Sequence, residues 1–253
     1  MDKILDTIDR RLCVAPMMGW TNRHCRYFLR QLSPDALLFT EMLTAEALIH
    51  GDLCRLLDHS AVEAPLVLQL GGCQPDRLAR AVSLAAPWGF AEINLNVGCP
   101  SDRVQSGRFG ACLMAEPDLV ALCCRAMIAE TDLPVTVKCR IGIDDMDAES
   151  GLDRFVNIVA DAGVRVFYLH ARKAWLKGLS PKENRNIPPL DYGRARRLAT
   201  RRPDISVILN GGLEKVSRAC DEMNGFDGVM IGRSAYHKPF ILAELACSIF
   251  GRM

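Results

Sequence analysis

Short apolar and β-branched runs alternate along this chain with longer segments whose apolar residues return at helical spacing. The short runs predict eight strands, at 12–17, 36–42, 65–70, 91–96, 134–140, 164–170, 206–210 and 228–231. The segments between them carry helix signals. Glu116-Pro117-Asp118 opens one of them, with proline in the first turn and acids near the positive helix end. Leu119, Leu122, Cys123, Ala126 and Met127 follow at the spacing of one buried helical face. Residues 76–86 and 152–162 read the same way.

Eight strand–helix repeats in 253 residues match the size of a (β/α)8 TIM barrel, an α/β fold, with residues 1–253 forming that one domain. An open doubly wound sheet is the rival. It needs fewer strands and usually carries a G-x-G-x-x-G turn, which is absent from the sequence. Polar and glycine-rich turns follow the predicted strands: Gln69-Leu-Gly-Gly, Asn96-Val-Gly-Cys, Lys138-Cys-Arg-Ile-Gly, His170-Ala-Arg, Asn210-Gly-Gly and Gly232-Arg233. In a closed barrel these ends share one rim, which is where barrel active sites lie.

Composition narrows the partners little. Hydrophobic residues make up 49% and charged residues 24%, an ordinary globular balance able to build a sizeable core. A net charge of +1 gives no global pull toward nucleic acid or membrane, so such a partner must be met by a local patch. The N-terminus is too charged for a secretory segment, and no apolar run approaches the roughly 18 residues of a membrane span. A soluble, cytoplasmic protein is expected. The 11 cysteines include no C-x-x-C pair, so no metal site is expected. Reduced thiols are expected, and every cysteine except Cys99 is expected to serve as a small core residue, most of them (Cys13, Cys112, Cys123, Cys124, Cys139, Cys220 and Cys247) lying in apolar segments.

Cys99 differs because Asn94-Leu-Asn-Val-Gly-Cys-Pro100 sets it on a sharp turn at a strand's C-terminal end. Gly98 permits the turn and Pro100 stiffens its exit. As a nucleophile it would need a partner base; as a general acid it needs only a protonated thiol. The acid role combines with hydride transfer from a flavin to an electron-poor double bond. Lys138 lies on an otherwise apolar strand, either facing the interior toward an anionic group such as a reduced flavin, or snorkelling outward to solvent. His170 is either a rim residue or a catalyst. Asn210-Gly-Gly and Gly232-Arg233 suit a phosphate held after strands seven and eight.

At these residues the chain resembles the tRNA-dihydrouridine synthases, DusA-type. The matching stretches are Ala15-Pro-Met-Met-Gly-Trp-Thr-Asn, Leu37-Leu-Phe-Thr-Glu-Met, Leu68-Gln-Leu-Gly-Gly, Asn94-Leu-Asn-Val-Gly-Cys-Pro-Ser, Val137-Lys-Cys-Arg-Ile-Gly, Leu169-His-Ala-Arg, Gly178-Leu-Ser-Pro-Lys-Glu-Asn-Arg, Leu209-Asn-Gly-Gly and Met230-Ile-Gly-Arg. They run in order from about residue 10 to about residue 245, and the Leu-Ser-Pro-Lys-Glu-Asn-Arg stretch points to the DusA type.

The resemblance implies an FMN-dependent reductase of uridine C5–C6 in the tRNA D-loop, at U20 or U20a, with NADPH as reductant. It implies that Pro16, Met17 and Met18 line the flavin and that Gln69 hydrogen-bonds its ring system. Lys138 and His170 would contact cofactor and base, and Asn210, Gly211, Gly212, Gly232 and Arg233 would hold the phosphate. Cys99 would protonate C5, Asn96 would contact the uracil, and Lys182 and Arg185 would contact tRNA.

The helical tRNA-binding domain that follows the barrel in the family is expected to be absent from this sequence, which stops at Met253; either the sequence is truncated or RNA is managed differently. The five arginines of Arg194–Arg202 could supply a basic patch, although a solvated helix face is the plainer reading. Two other functions fit less of the sequence: a barrel flavoprotein acting on a small pyrimidine or enone, and a non-catalytic RNA-binding remnant. The oligomeric state is left open.

Overall fold

The computed structural model describes residues 8–251. Residues 1–7, which carry most of the charged N-terminal stretch, and residues 252–253 lie outside the described residues. Nine strand segments run parallel: β1 (Leu12–Val14), β2 (Leu38–Phe39), β3 (Leu43–Thr44), β4 (Leu66–Gly71), β5 (Glu92–Val97), β6 (Val135–Arg140), β7 (Val166–His170), β8 (Ser206–Asn210) and β9 (Gly228–Ile231). Their order is β1-β9-β8-β7-β6-β5-β4-β2, with β3 also paired to β4. Backbone bonds between Val14 and Leu37 and between Leu37 and Leu12, both 2.9 Å, close the ring. Of the strand predicted at 36–42 only Leu38–Phe39 forms, as β2, with β3 just beyond the predicted end, and the strand predicted at 12–17 stops at Val14.

Seven long helices wrap the ring: α1 (Arg23–Leu32), α2 (Pro75–Ala85), α3 (Pro117–Ile128), α4 (Ser150–Asp161), α5 (Tyr192–Arg201), α6 (Val216–Met223) and α7 (Ile241–Phe250). Local chemistry starts them. Proline opens α2 and α3, where its missing N–H costs nothing, while Asn22 and Asp191 cap α1 and α5 with side-chain oxygens. α3 corrects the predicted face. Val120, Ala121, Cys123, Cys124 and Met127 are buried, whereas Leu122 is half exposed. The helix lies between α2 and α4, so its buried stripe turns toward both neighbours and away from Leu122.

Two cores result. The larger lies between strands and helices. The smaller fills one side of the barrel interior with Cys13, Ala15, Leu37, Phe39, Val67, Val166, Tyr168, Ile208 and Met230. Opposite it, Gln69, Glu92, Asn94 and Thr136 are buried polar side chains on β4, β5 and β6. All 11 cysteines are free, and Cys13, Cys123, Cys124 and Cys139 are buried as expected. Cys54 and Cys247 are exposed, and Cys25, Cys73, Cys112 and Cys220 are half-buried, so these six are not core residues: their segments turn other side chains inward. No helix among the described residues is long and apolar enough to cross a membrane.

Candidate active site

A cavity of about 470 Å³ opens at the C-terminal ends of the strands. That is room for a cofactor-sized ligand. Its lining includes Pro16, Met17, Met18, Gln69, Asn96, Cys99, Lys138, His170, Arg185, Asn210, Gly211, Gly212, Gly232 and Arg233. Every residue singled out from the sequence is there except Lys182, which is exposed beside Pro181 and Arg185. A smaller cavity near Met114, Ile143 and Met146 is lined chiefly by alkyl and thioether groups and offers little chemistry.

The Cys99 turn is tied down on all sides. Asn96 Oδ1 accepts the backbone N–H of Gly98 at 3.1 Å and of Cys99 at 3.0 Å. The Cys99 carbonyl accepts from Ala111 N at 2.8 Å. Gly110 makes this contact possible: its φ is +77°, and a Cβ there would stand 2.5 Å from the Cys99 carbonyl oxygen. The thiol itself is half-buried, 3.5 Å from the Ser101 hydroxyl.

Arg140, not foreseen from the sequence as a site residue, clamps the rim. Its guanidinium donates to the carbonyls of Gly98 (2.9 Å), Lys173 (3.1 Å) and Asn184 (3.0 Å). It thereby joins the Cys99 turn to the loop that carries Lys182 and Arg185. Buried Asn184 completes that loop, accepting from Trp175 N and donating to the carbonyls of Trp175 and Leu179. The alternation of polar residues in V-T-V-K-C-R of β6 was the available signal for Arg140, since side chains two apart share a face.

The cavity is electropositive. Lys138 points into it and donates to Asn210 Oδ1 at 3.1 Å, which decides between its two sequence readings in favour of the interior. Burial first, and then the neighbouring Arg140 charge, push the Lys138 ammonium down to about 8. Burial and the surrounding Arg140, Lys138, Arg172 and Arg233 hold His170 well below the usual imidazole range, favouring its uncharged form. Arg233 Nη2 meets only the Asn186 amide oxygen, at 2.8 Å, among the described residues. Lys138, Arg140 and Arg233 therefore face neutral oxygens, and Glu214 is the carboxylate in the lining. Such an excess of cationic groups in a pocket calls for an anionic ligand.

Glycines shape the same wall. Gly211 and Gly212 have φ of +115° and +66°, and a Cβ at Gly211 would lie 2.6 Å from the His170 ring. A Cβ at Gly232 would meet nothing nearer than Asn210 Nδ2 at 4.0 Å, so that position faces open cavity. Bare backbone, Arg233 and Asn210 make a cradle that fits a phosphate, and Lys138 fits the electron-rich ring of a flavin. On these grounds the residues present suit FMN.

Residues 13–252 match the family described as Dihydrouridine synthase (Dus). The chain belongs to the dihydrouridine synthase family. Among its relatives named tRNA-dihydrouridine(20/20a) synthase, that of Xanthomonas campestris pv. campestris is 57% identical over 242 residues, 96% of this chain and 72% of that protein. The Vibrio cholerae protein of that name is 56% identical, covering 95% of this chain and 74% of its own length. The Synechocystis relative is 53% identical over 251 residues, 99% of this chain and 75% of that protein.

The arginine run of α5 is a structural surface. Arg194 is fully buried, bonded to the carbonyls of Ala148 and Glu149 and to Asp153. Arg197 pairs with Glu149, Arg201 with Glu149 and Asp153, Arg196 with Glu222, and Arg202 with Asp204. A solvated helix face therefore describes only part of this run: Arg194 is buried, and the remaining arginines are ion-paired.

Proposed function

We propose that this chain is a tRNA-dihydrouridine(20/20a) synthase that binds FMN, uses NADPH as reductant and saturates C5–C6 of uridine in the tRNA D-loop. The observation that carries the reading is the placement of Cys99. A pinned turn presents its thiol to a cationic, glycine-walled cavity at the rim of a barrel from the dihydrouridine synthase family. The names of relatives at 53–57% identity supply the uridine position.

FMN, when bound, supplies the hydride that reaches C6. The chain's own residues do the rest. Asn210, Gly211, Gly212, Gly232 and Arg233 hold the phosphate by backbone N–H groups and one guanidinium. Pro16, Met17 and Met18 wall the ring, while Gln69 borders it with an amide already engaged by Asn94 and Asn96. Lys138 offsets negative charge on the ring, and neutral His170 offers a hydrogen-bond donor rather than a competing cation. Cys99 holds the proton that C5 takes up as C6 gains its hydrogen, so that the pyrimidine carbonyl carries no lasting charge. Asn96 borders the place where the uracil would sit, and Arg185 in the cavity wall and exposed Lys182 beside it are suited to phosphate contacts.

The deciding experiment compares tRNA lacking dihydrouridine with free uridine as oxidant of the reduced, FMN-loaded enzyme, with mass mapping of the modified nucleotide. Reduction confined to tRNA position 20 or 20a is expected. Equal reduction of free uridine would replace this reading with a small-molecule reductase.

A further inference from the structure

Alternate residues of β5, namely Glu92, Asn94 and Asn96, face the barrel interior, and with Thr136 of β6 and Gln69 of β4 they form one unbroken line of hydrogen bonds. The line has a direction, and its origin is a charge. A carboxylate only accepts, and Glu92 accepts four times. Arg10 Nε and Nη2 reach its Oε2 at 2.9 and 2.8 Å, while the hydroxyls of Thr136 and Tyr168 reach Oε1 at 2.7 and 2.8 Å.

Having given its proton to Glu92, the Thr136 oxygen accepts from Asn94 Nδ2 at 2.9 Å. The Asn94 oxygen then accepts from Gln69 Nε2 at 2.8 Å, and the Gln69 oxygen from Asn96 Nδ2 at 2.9 Å. Only the Asn96 oxygen is left to face the turn, where it takes the N–H groups of Gly98 and Cys99. Reversing any one amide sets donor against donor or acceptor against acceptor in a dry interior, where unmatched polar groups are most costly.

We propose that Glu92 is a positioning residue for Cys99. Acting through Thr136, Asn94 and Gln69, it dictates which end of the Asn96 amide meets the Cys99 turn, and so where the thiol stands. The Arg10–Glu92 pair is almost wholly buried, with exposures of 8% and 0%. Ion pairs of that kind add little net stability over apolar packing, so orientation is the use that explains one here. The effect on catalysis rests on the proposed function of Cys99, while the effect on the turn does not.

Thr136→Val is the test, because it removes the hydroxyl, keeps the side-chain shape and spares the Arg10–Glu92 pair. Thr136→Ser restores the hydroxyl, and Thr136→Ala is the second variant if valine prevents folding. Tyr168→Phe is the control, since it deletes a bond to the same Glu92 oxygen outside the line. The readouts are hydrogen exchange at the Gly98 and Cys99 backbone N–H groups and single-turnover uridine reduction by FMN-loaded enzyme.

Exchange about tenfold faster at those two sites in Thr136→Val, restored by serine and absent in Tyr168→Phe, is expected. A comparable loss in uridine reduction should accompany it, with flavin reduction by NADPH unchanged. Unchanged exchange in Thr136→Val, or an equal rise in Tyr168→Phe, would overturn the line as the cause. Faster exchange with undiminished uridine reduction would overturn the positioning role. Because exchange needs no substrate, failure of the uridine assay in wild type would count against the proposed function alone.

Discussion

Cys99 and Lys138 answer to different halves of the proposed reaction, and substitution separates them. Cys99→Ala should leave FMN affinity and flavin reduction by NADPH nearly intact while slowing single-turnover oxidation by tRNA by roughly 10²–10⁴-fold, the usual worth of a general acid. Equal rates in the two enzymes would assign the proton to another group. Lys138 predicts a pH dependence. Its folded value of about 8 lies below the ordinary lysine value of 10.5, so between these limits the unfolded chain holds more protons. Without ligand, stability should therefore rise with pH across that window. FMN affinity should move the opposite way, weakening by at most about tenfold per unit above pH 8 as the ammonium is lost. Lys138→Met should raise the ligand-free melting temperature at pH 7, flatten both dependences and weaken FMN binding. Calorimetry and fluorescence titration at pH 7 and 9 check all three.

At the scale of elements, the glycine turns after β8 and β9 do two separable jobs. Gly211→Ala strains a positive φ and drives a methyl group into the His170 ring, which should cost about 1–3 kcal/mol of stability as well as ligand affinity. Gly232→Ala has room in the protein, with its nearest neighbour 4.0 Å away, so it should keep its melting temperature and lose FMN affinity by steric exclusion. Parallel thermal and flavin titrations distinguish them. These turns were legible in the sequence because glycine beside a strand end marks backbone that something must approach closely. The barrel was legible for a similar reason: its period of strand and helix is written in hydrophobicity. Arg140, Asn94, Thr136 and Glu92 were harder to see. E-I-N-L-N-V alternates polar and apolar residues, a pattern that ordinarily puts the polar side toward solvent, whereas here all six are buried and the polar row faces inward. The face of α3 was misjudged because periodicity gives a stripe but not which neighbours the stripe will meet.

For the whole molecule, charge is distributed unevenly between use and support. The α5 arginines are committed to Glu149, Asp153, Glu222 and Asp204, whereas Lys182 and Arg185 stand near the cavity mouth without carboxylate partners among the described residues. Lys182→Ala and Arg185→Ala should each weaken tRNA binding and flatten the plot of log affinity against log salt by roughly 0.7–0.9. Arg197→Ala should change neither, losing only a solvent-screened ion pair with Glu149. Filter binding across a salt series separates the two classes, and an equal loss in Arg197→Ala would return the α5 run to the RNA surface. The row of side chains beneath Cys99 also limits what can be engineered. A graft of residues 96–101 into an unrelated barrel would move the thiol and leave behind the anchorage that runs from Asn96 through Gln69, Asn94 and Thr136 to Glu92 and Arg10. The portable unit is the inward half of β4, β5 and β6 together with the arginine below them, so this loop is transplantable only with its roots.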